Sequence, residues 1–188
     1  MKTKLIACFC LSLSMLACST TPSNIIVSPD IMGLSSKINY ANKLINLSVQ
    51  DLRNSAHVVQ ILQKDKAAVL VNSQSELNEI IQTTLSRQFA MQGLMMNDGA
   101  SNQFDVSIVK ALITVNQTIF KYDTETEITL SVQLANGENT LTKNYRRTGK
   151  SNGPLSPDLA VLGRDFNQQL TKALNQIVND PEIQALVK

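Results

Sequence analysis

Few side chains in this chain have the type and spacing that chemistry requires. His57 is the single histidine, so any Ser-His-Asp or Cys-His arrangement would have to use it to move protons near neutral pH. It stands between Ala56 and Val58-Val59, no G-x-S-x-G elbow occurs, and the position reads as structural. Zinc has no H-x-x-x-H pair to bind, and no glycine-rich phosphate loop is present. Glu76 with Glu79, and Glu125 with Glu127, are carboxylate pairs of the kind that cleave glycosides. The first pair reads as helix capping and solubility; the second flanks a strand without an apolar setting to raise a pKa. Asp51 and Arg53 stand two apart on a strand and so share a face, either as a strand-end ion pair or as a ligand or partner contact. Lys143, Arg146, Arg147 and Lys150 surround Tyr145 and could meet lipopolysaccharide phosphates or acidic wall groups. Alternation sets Arg146 opposite Lys143 and Arg147, so a solvated strand edge is the plainer reading. The expectation is a non-enzymatic protein with no catalytic, cofactor or metal residues and with Asp51, Arg53, Arg146 and Arg147 as candidate partner contacts.

Cys18 has the clearest chemistry. Lys2 and Lys4 precede an apolar run over residues 5–16, broken only by Ser12 and Ser14, and Ala17 stands just before the cysteine. That is the build of a secretory signal, and it is shorter than the roughly 20 residues needed to span a bilayer. Met15-Leu16-Ala17-Cys18 resembles the lipobox of bacterial lipoproteins. The resemblance implies that the Cys18 sulfur takes a diacylglycerol, that residues 1–17 are removed, and that the new amine is acylated. One acyl chain gives only marginal membrane binding, so a three-chain anchor would be effectively permanent. Ser19, where an Asp would retain such a protein in the inner membrane, implies the periplasmic face of the outer membrane. Residues 18–24 then form a lipidated tether reaching about 20 Å at full extension, and residues 25–188 form a single periplasmic domain.

The mature composition bounds the rest. Loss of Lys2 and Lys4 takes the formal charge from +2 to zero, and the chain holds only five Phe, three Tyr and no Trp. Without a basic excess, nucleic acid is not an expected partner. Cys8 and Cys10 leave with the leader and the Cys18 sulfur carries lipid, so neither a disulfide nor a cysteine metal site is expected.

These residues need elements to position them. Residues 25–27 form a short apolar run before Ser28-Pro29, either an edge strand or part of the tether. Residues 44–52, 58–62 and 67–71 read as strands, with Lys64-Asp65-Lys66 as a turn between the last two. Ser73 and Glu76 spell a capping box before a helix striped by Leu77, Ile80, Ile81, Leu85 and Phe89 and closed by Gly93. Met91, Met95 and Met96 read as core filler. Phe104, Val106 and Ile108 alternate in one parity, and Val109, Ala111, Ile113 and Val115 in the other. Such a switch needs a bulge or a strand covered on both sides, and the bulge is preferred. Ile128, Leu130, Val132 and Leu134 alternate up to Asn136-Gly137, which reads as a type I′ hairpin turn. Residues 150–154 read as a loop, Ser156 caps a second helix with Pro157 in its first turn, and Asn179-Asp180-Pro181 stops that helix before a short final one. The sum predicts an α+β two-layer sandwich: a mainly antiparallel sheet with two long amphipathic helices packed on one face.

Several segments in order also resemble the YajG family of Gram-negative lipoproteins. They are the leader with Cys18, Ile26-Val27-Ser28-Pro29, Val49-Gln50-Asp51-Leu52-Arg53, Phe89-Ala90-Met91-Gln92-Gly93-Leu94 and Thr142-Lys143-Asn144-Tyr145-Arg146. The resemblance implies an uncharacterised outer-membrane lipoprotein and carries over no catalytic residue. The expected function is an envelope accessory or assembly component that is anchored through Cys18 and binds an envelope protein or itself. The alternative is a binding module for cell-wall fragments or lipids.

Overall fold

A computed structural model describes residues 24–31 and 40–187. The leader, Cys18 and nearly all of the tether lie outside the described residues.

The predicted sandwich is corrected by the strands. They make up 43% of the described residues and build one mixed, eight-stranded sheet curled into a half-barrel, against which three short helices lie. Its centre is β6 (Gln103–Gln117), followed by β7 (Lys121–Ala135) and β8 (Thr140–Pro154), each 15 residues long. At about 3.3 Å per residue each strand runs close to 50 Å. Right-handed twist accumulates over such a length, so the antiparallel β6–β7–β8 meander coils instead of lying flat.

The other edge of β6 is parallel, which alternation alone could not reveal. β2 (Leu44–Asp51) pairs with the first half of β6, from Asn46↔Gln103 to Asp51↔Ile108. β3 (Val59–Gln63) pairs with the second half, from Val59↔Ile113 to Gln63↔Gln117. β4 (Val69–Ser73) runs antiparallel to β3, β1 (Asn24–Ile25) runs parallel to β4, and β5 (Met95–Met96) runs parallel to β2. The apolar run at 25–27 therefore starts as an edge strand.

Between Ile108↔Leu130 and Lys110↔Thr129 the β6–β7 register skips Val109, which is the bulge that the parity switch demanded. Phe104, Val106 and Ile108 before it and Ala111, Ile113 and Val115 after it all reach the core, while Val109 is half exposed. On β7, Ile128, Leu130, Val132 and Leu134 are buried, and Thr129 and Ser131 on the opposite face are only partly covered.

Helix α1 (Leu77–Met91) packs over β2, and α2 (Leu159–Val178) over β7 and β8; α3 (Pro181–Val187) ends the described chain. Their caps differ from expectation. Ser73 is consumed as the last residue of β4, so the capping box does not form and Glu76 precedes α1 without a side-chain cap. α2 is capped by Asp158, whose carboxylate accepts the Ala160 N–H at 2.8 Å. Gly93 does close α1, at φ +91°, where a left-handed residue is needed. The β7–β8 turn is a four-residue loop in which Asn136 Oδ1 accepts the Asn139 N–H, and Gly137 supplies φ +88°. β8 continues through 150–154, where a loop was expected, because Gly153 lets the Tyr122 ring lie directly against the backbone. Met91, Met95 and Met96 are exposed, and Leu94 fills the core instead.

Candidate functional site

The bulge in β6 explains Asp51 and Arg53. β2 ends opposite Ile108 and β3 begins opposite Ile113, so the edge of β6 lacks a partner strand just where the bulge lies. The chain crosses that gap over residues 52–58. Leu52 N–H bonds to the Ile108 carbonyl on one side, and the Ile113 N–H bonds to Val58 on the other. Arg53 fills the space between. Its Nε and Nη2 donate to the Asp51 carboxylate at 2.7 to 3.1 Å, and its Nη1 donates to the carbonyls of His57 and Ala111 at 3.2 Å each. Only 8% of this side chain is exposed. A planar guanidinium suits the task, since it offers a two-pronged contact and further donors at fixed angles. Burial pushes the Asp51 carboxyl up, but hydrogen bonds and charge from Arg53 outweigh it and hold the group below its ordinary value.

Around this plug lies a shallow cleft of about 330 Å³, lined by Arg53, Ser55, His57, Gln60 and Lys110 among others. His57 Nδ1 contacts Ser55 Oγ within the crossing loop. This is a Ser-His contact with no carboxylate on the second ring nitrogen among the described residues, so it lacks the orienting group of a hydrolase triad. On the wet face beside the cleft, Glu127 bridges Lys110 at 2.5 Å and Arg146 at 2.8 Å. Its carboxyl is held low, first by the hydrogen bond from Lys110.

Arg147 points to the other side, where its Nη2 donates to Gln176 on α2 at 2.7 Å. The predicted basic cluster is therefore split across two faces. Arg53, His57 and Lys110 share one cleft, Glu127 links that cleft to Arg146, and Arg147 belongs to the packing of α2. Among the described residues Lys150 pairs with the exposed Glu125, at 3.7 Å. Cys18 lies outside the described residues. Among those residues no group of three or more His, Cys, Asp or Glu could hold a metal, and no helix is long and apolar enough to cross a membrane.

Two features escaped the sequence reading. Asp180, which reads only as a helix stop, is nearly buried: it accepts from Tyr145 Oη at 2.8 Å, pairs with Lys143 at 2.7 Å and caps α3 through the Glu182 N–H at 2.9 Å. The second is an exposed apolar tip, Ile119 and Phe120 between β6 and β7, with Leu155 beside them. Ile and Phe inside a turn give no period to detect, whereas large apolar residues in a connection were the available signal.

Comparison with known proteins gives a family and a fold. A family model described as an uncharacterized lipoprotein matches residues 29–188. No curated protein matches the sequence. A crystal structure of a Xanthomonas campestris protein is 13% identical, with a TM-score of 0.54 over 87% of this chain and 94% of that one, so the two share a fold. A putative neuraminyllactose-binding hemagglutinin homolog from Helicobacter pylori is 9% identical over 85% of this chain and 91% of that one, at a TM-score of 0.46. The PelC dodecamer from Paraburkholderia phytofirmans is also 9% identical, over 82% and 95%, at 0.37.

Proposed function

The chain belongs to the family of uncharacterized lipoproteins, and from that premise we propose that it is a non-enzymatic component of the outer membrane, held at the periplasmic face through an acylated Cys18. Its folded domain serves there as an accessory or assembly part that engages an envelope protein or a second copy of itself. The observation that carries this reading is the lipoprotein-family match over 29–188, with the lipobox-like Met15-Leu16-Ala17-Cys18 just upstream. The ordered resemblance to YajG-like segments supports a Gram-negative envelope as the setting. Of the four candidate contacts Arg146 is the one exposed enough to meet a partner, while Asp51 and Arg53 shape the cleft beside it and Arg147 is engaged by Gln176 on α2.

In-cell crosslinking of the acylated protein, beside a Cys18→Ala version, tests the reading. One reproducible protein captured by the first and lost in the second is the expected result. Capture of nothing by either version would overturn it. A groove of about 510 Å³ between Ile25-Ile26 and Leu159-Gly163 favours a second reading, a module for lipids or wall fragments. That reading requires saturable thermal stabilisation by muropeptides or lipids, and a flat response across a broad panel removes it.

A further inference from the structure

The β6–β7 hairpin turns with the wrong residues for a turn in water. Thr118 and Lys121 close it: the Thr118 N–H and Oγ1 both donate to the Lys121 carbonyl, at 2.8 and 2.9 Å, and the Lys121 N–H donates back to Thr118 Oγ1 at 3.2 Å. Only Ile119 and Phe120 remain between them. Tight hairpin turns ordinarily carry Gly, Asn or Asp there, because those residues tolerate left-handed φ or bond to their own backbone. Neither Ile119 nor Phe120 has a positive φ, and they are 83% and 80% exposed, the most exposed large apolar residues described. Leu155, 65% exposed, stands beside them through a bond from its N–H to the Phe120 carbonyl at 2.9 Å. It does so at φ +62°, a conformation that a branched-chain residue adopts only under constraint. Three apolar side chains are thus presented at one end of the molecule by a rigid hairpin, and the turn itself needs none of them.

Two observations indicate what covers this tip. The first is the direction from which the chain enters the fold. β1 runs parallel to β4, with Asn24 opposite Asn72, and β4 begins at the end of the sheet where Gln63 and Gln117 lie. The chain therefore enters β1 from the tip side. Asn24 sits near the level of Val58 and Leu112, about seven residues below Ile119, or about 23 Å at strand rise. A tether from Cys18 to Asn24 reaches about 20 Å at full extension, and the glyceryl thioether on the Cys18 sulfur adds several ångströms, so the acyl anchor and the tip can meet the same plane. The second is charge. A cleft beside Ile119 is lined by Lys64, Asp65 and Lys66, and Lys121 follows Phe120 with Asp123 at 3.0 Å. Lysines that flank an apolar wedge can leave their stems among acyl chains and set their ammonium groups at lipid phosphates.

We propose that Ile119, Phe120 and Leu155 form a wedge that seats at the headgroup–acyl boundary of an anionic membrane, beside the acyl anchor, with Lys64, Lys66 and Lys121 meeting lipid phosphates. Which membrane is engaged rests on the function proposed above. The wedge itself rests on the tip. It converts attachment at a single point into a fixed orientation, holding the long axis of the β6–β7 hairpin away from the bilayer and its 136–139 loop toward the periplasm.

The absence of tryptophan from the chain makes the test direct. Phe120→Trp installs a single reporter at the tip, Ile119→Trp repeats it at the neighbouring position, and Glu138→Trp places one on the opposite loop. Each full-length protein, as isolated from the envelope, is reconstituted in vesicles of phosphatidylethanolamine and phosphatidylglycerol. Radiolabelled palmitate reports in parallel whether the protein carries its acyl anchor. The wedge requires that both tip reporters shift to the blue and are quenched by brominated acyl chains, while Glu138→Trp keeps the emission of a residue in water. Lys64→Glu combined with Lys66→Glu should weaken tip quenching on these vesicles and leave it unaltered on zwitterionic ones. A palmitate-labelled protein whose tip reporters emit as they do without vesicles overturns the wedge and leaves the anchor standing. An unlabelled protein whose tip reporters still shift overturns the anchor and leaves the wedge as the membrane contact.

Discussion

At the scale of single residues, the Tyr145–Asp180–Lys143 cluster is the most informative, because it makes stability depend on pH in a defined direction. Burial pushes the Asp180 carboxyl up, but hydrogen bonds from Lys143 and Tyr145 and from the backbone N–H groups of Glu182 and Ile183 outweigh it, so its pKa is lowered. A carboxylate with a depressed folded pKa contributes stability that is fully present above its unfolded value of about 3.9. That contribution is lost as pH falls through the folded value. Asp180→Ala removes the acceptor from two donors and the cap from α3, and should cost about 2–3 kcal/mol at pH 7. Urea unfolding at pH 7 and at pH 3 checks this: the gap between wild type and variant should shrink at the lower pH. A gap of equal size at both would show that the ionised carboxylate is not what stabilises the cluster. Lys143, raised mainly by its hydrogen bond to Asp180, works in the opposite sense. Its contribution holds below the ordinary lysine pKa and fades as pH rises through the raised one. Tyr145 was legible from alternation as an inward residue. Asp180 was legible only as a helix stop, since its partners are 35 or more residues away and meet it only after α2 has folded back along β8.

Elements were legible where periodicity is local and obscure where pairing is not. The parity switch between Ile108 and Ala111 announced a bulge, and the bulge is there. Asp51 and Arg53 announced a shared face. Neither pattern could show that β2 and β3 both run parallel along one edge of β6, because a parallel and an antiparallel partner impose the same alternation of side chains. That missing link is what gives Arg53 its task. Arg53→Ala would leave Asp51 without its partner and would deprive the Ala111 and His57 carbonyls of a donor, costing about 3 kcal/mol. Arg53→Lys should recover little of this, because an ammonium cannot grip the carboxylate in two places and also reach both carbonyls. Thermal melts rank the pair, and hydrogen exchange locates the damage: amides of residues 52–58 and 110–113 should lose protection first. Recovery by lysine to wild-type stability would mean that only the charge matters. At the far end of β8, Gly153→Ala would put a Cβ within 2.6 to 2.8 Å of the Tyr122 ring. It should cost about 1–3 kcal/mol through overpacking, whereas the exposed β8 position Asn152→Ala should lie within about 0.5 kcal/mol of wild type. Residues 150–154 read as a loop from the sequence. Their meaning depends on the ring that lies over the strand, which no local pattern contains.

For the whole molecule, the decisive quantity is strand length. Sequence patterning supports a sheet with one apolar face, and from that a flat two-layer sandwich follows by default. Three consecutive 15-residue strands change the outcome, since twist accumulated over about 50 Å curls the sheet into a half-barrel. The curl leaves the sheet with unequal edges. β6 has strand partners on both sides except in the gap between Ile108 and Ile113, β7 lies between β6 and β8, and the single strand partner of β8 among the described residues is β7. Native-state hydrogen exchange should therefore slow most in β6 and β7 and be faster along the outer edge of β8, which has no strand partner among the described residues. An edge strand of this length is also a template for a further strand from a partner or a second copy. The two situations separate on dilution. If the outer amides of β8 exchange quickly at every concentration, the edge is open and available to a different envelope protein. If they are as protected as β6 in concentrated solution and lose that protection on dilution, β8 pairs with a second copy of the chain, and the anchored unit is an oligomer joined along this edge.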